Sequence, residues 1–425
     1  MSPWLALMLG SVLLRLIYGK FLLSDHWPGD AHWYKDAAEA LLQKGWLDHY
    51  WPPALPHLLA GGMWLGIPQE WLGMCIGLGM WILYFWVLIS VVFPLGNSQR
   101  GWWIKAIFAI FPAFVHQSVV PLTYLPVAIL LLMSWQWAIG AWGGSTLRDG
   151  LGLGICLGLM VLFRGASLAL WPVMLWGYAW QRDRWQVAIL PALIALVMVL
   201  GWEARLYQQE GRWIAINSAN SYNLYLGNNA WTPDYRTWIL GSQDLHGDAH
   251  FEPFYTQLDS VRALPVEQQD HAFQALAWQR ISTHPGEFAL RIGTRLATLF
   301  SFDTLAGATL YKQAPLWGMI SLIADAICYL LLLLMAWWSW RSNAWRRGEK
   351  ILWLLTVGAY SLPYLLAFSH PTYHLPLLPL FAWAAVKGES FSFTKLKRRS
   401  WFSWLILVVF LLFQVAWVIN MADRL

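Results

Sequence analysis

Few side chains in this sequence can do acid–base or metal chemistry, and several of them sit together. Asp30 opens the run Gly29-Asp30-Ala31-His32-Trp33-Tyr34, with His26 and His32 on either side and Tyr34 one helical turn on. His26, Asp30 and His32 have the composition of a metal site, but their spacing does not bring three groups onto one helical face, and loop histidines usually just hydrogen bond. Asp30 stands where a helix should begin, so an N-cap carboxylate accepting backbone N–H bonds is one open reading. Deprotonation of a substrate is the other. Arg15 lies well inside an apolar run, where a charge is expensive and is paired or faces a cavity. No lysine is followed by Ser or Thr, so a Walker A loop is absent, as are H-E-x-x-H and G-x-S-x-G. Cys75, Cys156 and Cys328 are far apart and imply neither a disulfide framework nor a redox motif.

Such residues need a scaffold, and composition says which. Of 425 residues, 58% are hydrophobic, 16% aromatic and 12% charged, about half the roughly 25% charge of a soluble protein. Mean hydropathy is +0.46. A soluble enzyme is excluded, and an all-α polytopic membrane protein is predicted. Apolar runs near the ~20 residues that cross a bilayer fall at 4–23, 71–93, 102–115, 122–142, 151–163, 166–180, 187–202, 316–340, 352–368, 375–386 and 401–418, about eleven spans. The first lacks a basic n-region and a cleavage site, so it is expected to stay as a span. The net charge of +5 sits in short clusters such as Arg341, Arg346, Arg347 and Lys350. No aromatic platform accompanies them, so they read as cytoplasmic retention signals and not as a nucleic-acid surface.

With the N-terminus inside, the basic loops all fall on the cytoplasmic side, and two polar segments, 24–70 and 203–291, fall outside. The expected organisation is an N-terminal membrane module 1–202 containing the first outer loop 24–70, a loop subdomain 203–291, and a C-terminal membrane module 292–425. All eleven histidines then lie on or near the outer face. Most of the 33 tryptophans read as interfacial anchors, while Trp27, Trp33, Trp51, Trp213 and Trp231 in the outer loops are also open to stacking on a sugar face. The first outer loop predicts an amphipathic helix from Asp30, with Trp33, Ala37 and Leu41, and Tyr34, Ala38 and Leu42, repeating at four. It should lie flat on the membrane and stop near Gly45, with Asp36, Glu39 and Lys44 wet. A proline-punctuated re-entry, Tyr50-Trp51-Pro52-Pro53-Ala54-Leu55-Pro56-His57, follows. In the second loop, Val266–Thr283 reads as helix.

In order along the chain, Asp30 with Tyr34, the Ala/Leu helix, a glycine and Trp51-Pro52-Pro53 resemble the first loop of GT-C glycosyltransferases. The similarity is to the protein O-mannosyltransferase-like group that includes the lipid A aminoarabinose transferase. Leu162-Phe163-Arg164-Gly165-Ala166-Ser167-Leu168 resembles that group's L-x-R-P-x-x-L, with Gly165 where proline is usual. Asn223-Leu224-Tyr225-Leu226-Gly227-Asn228-Asn229 resembles its N-L-Y-x-G-N-N, and His370-Pro371-Thr372-Tyr373-His374-Leu375-Pro376 its R-Y-x-x-P-x-x-P, with His374 near the usual arginine. The matches extend from Arg15 to about Ala385.

The resemblance implies a GT-C-like bundle with juxtamembrane amphipathic helices and a periplasmic loop subdomain. It also implies an inverting hexosyl- or pentosyltransferase that takes a sugar from a polyprenyl-phosphate donor. The acceptor would be a lipid, glycan or protein at the periplasmic face of an inner membrane, with membrane lipids around it and no nucleic acid. Such a transfer needs one carboxylate to deprotonate the acceptor and cations to stabilise the departing phosphate, unlike glycoside hydrolysis with its two carboxylates. Asp30 is the expected base and Asp25 its runner-up. Candidates for the phosphate are Arg164, Arg291, Arg295, Lys312 and His374, with snorkelling to lipid headgroups as the alternative for the arginines. Arg15 is open between a structural ion pair and the carrier site. Tyr34, His57, Asn228, His370 and Tyr373 complete the expected substrate-binding set. Many family members carry an acidic residue in the short second outer loop, but His116 to Tyr124 holds none here. No cofactor is called for; a divalent metal has room but is not favoured. Competing readings are an O-antigen ligase or polymerase type transferase, with key residues in the large loop, and a lipid or solute transporter, with ionisable residues lining a mid-membrane cavity.

Overall fold

A computed structural model of the protein describes residues 3–23, 27–47, 49–92, 99–140, 146–214, 216–342, 344–388 and 401–422. Among these residues the regular structure is helical and no strand occurs. Five helices are long and apolar enough to cross a membrane: Leu5–Leu22, Gln69–Val91, Thr146–Phe163, Trp185–Glu210 and Pro315–Trp340. Shorter apolar helices cover Gly101–Ile110, Tyr124–Ala138 and Trp404–Asn420. The chain is a multi-pass helical membrane protein.

The helices do not establish the expected count of eleven, because three of the expected spans are broken. The run 102–115 divides at Phe111, which leaves the helical region, and Pro112 opens a new helix, Pro112–Gln117. The run 166–180 begins as a 3₁₀ segment, Gly165–Leu170, and Pro172 stands in the first turn of the helix Trp171–Trp180. The run 375–386 is likewise split between a 3₁₀ segment, Pro371–Leu377, and the helix Leu378–Lys387 with Pro379 in its first turn. Each proline lacks an N–H and would clash with a preceding carbonyl inside a continuing helix, whereas the first turn tolerates it.

Lipid offers no hydrophobic drive between helices, so close backbone approach must do more of the work. Gly150, Gly154 and Gly158 form one stripe of the helix Thr146–Phe163 at every fourth residue. The helix Ile189–Glu210 lies against them. A Cβ on Gly154 would fall 2.8 Å from the Pro191 carbonyl oxygen, and one on Gly158 would fall 2.7 Å from Met198 Sδ. This packing fixes the axis whose far end carries Arg164.

The surface helix runs Asp30–Lys44 and stops at Gly45 (φ 74°), whose N–H bonds the Leu41 carbonyl at 2.9 Å. It docks on the helix Ala54–Trp64 through Ala31, Tyr34 and Ala38, all buried, and turns Trp33 outward. The stripe that decides its position is therefore set by Tyr34. Beyond Gly211 the second loop folds around a core of Tyr225, Phe254, Leu258, Phe273 and Ala277, and Val266–Thr283 is helical where the periodicity places a helix. The helices Ile189–Glu210 and Pro285–Leu299 run across the positions 203 and 291 expected to bound this subdomain. Gln414 staples the last helix by accepting from Phe302 N at 3.0 Å and donating to the Phe300 carbonyl at 2.8 Å. Arg236 of the loop subdomain holds its far end through the Asn420 carbonyl, 2.8 Å away.

Replacing Gly154 by Leu should cost about 1–3 kcal/mol by overpacking and lower the melting temperature in detergent. Gly201→Leu, at a position with open space around its Cβ, should leave the melting temperature within about 0.5 kcal/mol of the parent.

Candidate active site

Asp30 is the first residue of the surface helix. The cap position belongs to Gly29, at φ 57°, and no side-chain cap bond is made there. Asp30 thus stands one residue past the cap, in the first turn of the helix. Asp30 is exposed to solvent, while the protein atoms around it strip part of its hydration. This loss of hydration raises its pKa above the ordinary carboxylate value, while Arg164 and His32 pull in the opposite direction. His32 is held by a hydrogen bond from its Nδ1 to the Gly29 carbonyl. Tyr34, one turn on, is buried and hydrogen bonded to Thr123, and its phenol is pushed up by burial and by the Asp30 charge.

Arg164 follows the last residue of the helix Thr146–Phe163, with its backbone extended and its N–H still bonded to the Met160 carbonyl at 2.8 Å. A cation suits the partial negative charge of a helix C-terminus. Three tyrosine rings surround the guanidinium, with centroids 4.7 Å (Tyr124), 5.2 Å (Tyr364) and 4.6 Å (Tyr373) away. Its Nε donates to the Tyr364 hydroxyl at 2.6 Å and its Nη1 to Thr123 Oγ1 at 3.3 Å. Tyr360, through its hydroxyl bond to the Tyr373 carbonyl at 2.8 Å, braces the two segments that supply the cage. Thr123 joins Tyr34 on one side to Arg164 on the other. Among the described residues no carboxylate makes an ion pair with Arg164. Asp30 feels its field without an ion pair between them, so a base and a cation lie within electrostatic reach of each other. That arrangement can accept a proton at one side and hold an anion at the other.

The remaining expected residues have other partners. Arg291 donates to the Asn229 and Thr232 carbonyls and pairs with Glu287. Arg295, fully buried, donates to the carbonyls of Leu365 (2.9 Å), Leu366 (3.0 Å) and Gly227 and to Asn228 Oδ1 (3.0 Å). It therefore clamps two helix C-termini together, those of Ala219–Gly227 and Arg347–Leu366. They cross so closely that a Cβ on Gly227 would lie 1.8 Å from the Ala367 oxygen. Asn228 adds a bond to the Leu366 carbonyl at 2.8 Å. The helix so anchored carries Tyr360 and Tyr364, so the N-L-Y-x-G-N-N run supports the cage from behind.

Arg15 is buried, lies 3.4 Å from the Trp81 ring centroid, and donates to the Ser11 and Ala109 carbonyls at 2.9 and 2.8 Å. It makes no ion pair among the described residues. His57 bonds the Pro53 carbonyl at 2.7 Å and meets the Trp202 ring edge-on. His374 is buried, bonded through Nδ1 to the Leu299 carbonyl at 2.9 Å and packed on Tyr329. His370 bonds Thr372 N and lies on Trp238. Lys312 is exposed. Asp25 and His26 lie outside the described residues. Of the expected set, Asp30, Tyr34, Arg164 and Tyr373 come together.

Thr123, Tyr124, Tyr360 and Tyr364 were not among the expected residues. Tyr360 and Tyr364 stand four apart in an otherwise apolar run, and Tyr124 opens a helix, a spacing signal present in the sequence. Asp303 and Asp325 both lie buried near the Phe300–Thr304 turn. Asp303 accepts from Leu305 N and Thr372 Oγ1, and Asp325 from Ala113 N. The pockets lined by Gly19, Lys20, Glu70 and Trp71 and by Arg280, His284 and Glu287 share no residue with the Asp30 and Arg164 site. Among the described residues no group of three or more His, Cys, Asp or Glu is arranged to hold a metal ion.

No protein-family model and no curated relative matches the sequence. Among solved structures the chain is similar to the archaeal oligosaccharyltransferase AglB from Archaeoglobus fulgidus in complex with an inhibitory peptide and a dolichol-phosphate. The identity is 14% and the TM-score 0.48, over 98% of this chain and 55% of AglB. The chain thus spans about half the length of that neighbour.

Arg295→Ala leaves the Leu365 and Gly227 carbonyls and Asn228 Oδ1 without their donor, at about 1–3 kcal/mol for each buried group left unsatisfied. The melting temperature should fall sharply, and Arg295→Lys should recover only part of the loss. An unchanged melting temperature with lost affinity for polyprenyl phosphate would return Arg295 to the substrate.

Proposed function

We propose that the protein is a GT-C-type membrane glycosyltransferase that moves a sugar, with inversion, from a polyprenyl-phosphate donor to an acceptor at the periplasmic or outer membrane face. The observation that carries this reading is that Arg164, ringed by Tyr124, Tyr364 and Tyr373 and without an ion pair among the described residues, lies within electrostatic reach of Asp30. The ordered sequence motifs, which extend to both residues, support it as well.

In this reading Arg164, charged at any working pH, holds the donor phosphate while the tyrosine cage keeps its fork in place. Asp30 takes the proton from the acceptor hydroxyl or amine as that group attacks the anomeric carbon. The bond from that carbon to the phosphate oxygen breaks, its electron pair stays with the phosphate, and polyprenyl phosphate leaves as an anion. Atoms and charge balance with no second acid, because a phosphate is already a stable leaving group. The partial desolvation of Asp30 makes it a stronger base than a free carboxylate. Tyr34 and Thr123 set the distance between base and cation.

Asp30→Asn should abolish transfer of radiolabelled sugar from polyprenyl-phosphate donors by about 10²–10⁴-fold without changing the melting temperature; near-parental turnover would remove Asp30 from the base role. Because the base must be deprotonated, kcat/KM should rise with pH along an acid limb lying above the range of an ordinary aspartate. His32→Gln, which removes one influence that lowers the Asp30 pKa, should move that limb to higher pH; an unmoved limb would assign it to another group.

A further inference from the structure

A phosphate on Arg164 and an acceptor proton on Asp30 fix where the anomeric carbon must lie, but neither group reads the sugar ring. Five outer-loop tryptophans could do so, and the structure separates them. Trp33 is 52% exposed, on the side of the surface helix away from Tyr34. Trp213 is 65% exposed and stacks on Tyr207, 5.0 Å between centroids. Trp231 packs on the core of the loop subdomain beside Phe254, and Trp27 lies under the Lys35 ammonium. Trp33 also packs on His32, 4.4 Å between centroids, whereas the ring of Trp51 lies 4.8 Å from that of the buried Tyr34, one turn from Asp30 on the face that docks against the bundle.

Trp51 is also held rigidly. Tyr50 meets it edge-on at 4.9 Å, the Tyr50 carbonyl accepts from Asn217 Nδ2 at 3.2 Å, and Pro52 and Pro53, both buried, fix the chain that follows. Yet its ring remains partly open to solvent. A rigid, partly exposed indole packed on Tyr34 suits the C–H face of a pyranose, whose weakly positive hydrogens meet the negative face of the ring. Resting on the function proposed above, we infer that Trp51 is the platform on which the donor's sugar stacks, so that the first loop reads the sugar while Arg164 reads the phosphate.

The experiment compares binding of polyprenyl phosphate, polyprenyl-phosphate glucose and polyprenyl-phosphate mannose to the full chain in nanodiscs. The parent is expected to hold a sugar-bearing lipid more tightly than the bare phosphate. Trp51→Ala should erase that preference, a loss of about tenfold for one aromatic contact, while the affinity for bare polyprenyl phosphate and the melting temperature stay as in the parent. Trp51→Phe should keep most of the preference. A Trp51→Ala protein that retains the preference, or that loses both ligands equally while Trp51→Phe retains both, overturns the platform. A parent protein that binds none of the three lipids overturns the proposed donor itself, and with it this inference.

Discussion

The structure turns on one guanidinium held by neutral partners. Three tyrosines and a threonine supply Arg164 with π faces and oxygen atoms, and no carboxylate meets it. Cation–π contacts hold such a group by about 0.5–2 kcal/mol each and leave its charge uncancelled. A cation at the edge of a membrane bundle in that state attracts an anion. The three segments that carry its partners, those of Thr123–Tyr124, Tyr364 and Tyr373, have to meet at one point. The glycine stripe, the three proline breaks and the Arg295 clamp are the devices by which they do.

The other arginines show what the alternative looks like. Arg295 and Arg291 are buried, and their hydrogens go to carbonyls at helix ends or to Glu287. Arg15 rests on a tryptophan with two carbonyls below it. In each case the guanidinium ties separate backbone segments together. Position in sequence does not distinguish these roles, because all of these residues are arginines in or beside apolar runs; only the partners do. The difference explains why four cations that look equivalent in the sequence divide into one ringed by tyrosines and three that hold helices together.

Much of the fold was legible. The apolar runs gave the helical membrane class, Gly45 gave the end of the surface helix through its left-handed φ, and the periodicity of Val266–Thr283 gave that helix. Asp30 and Arg164 were both recognisable as candidates, one by its place before an amphipathic run and the other by the motif around it. The spans interrupted at Phe111, Leu170 and Leu377 were not legible as breaks, because hydropathy sums over a proline without registering the lost N–H. Nor was the cage. Tyr124 lies far along the chain from Tyr364 and Tyr373, and a tyrosine in an apolar run reads as an interfacial anchor until its neighbours are known. The function of Arg291 and Arg295 was obscured for the reverse reason: four-residue spacing puts them on one face but does not say that the face is buried.

The most direct test of the central claim is a photo-crosslink. A polyprenyl phosphate carrying a diazirine beside the phosphate, irradiated on the protein in nanodiscs and mapped by peptide mass spectrometry, should label the peptides containing Arg164, Tyr124 and Tyr373, and excess unlabelled polyprenyl phosphate should suppress the labelling. Competable labelling concentrated around Arg291 and Arg295, with the Arg164 peptide unmarked, would contradict the account.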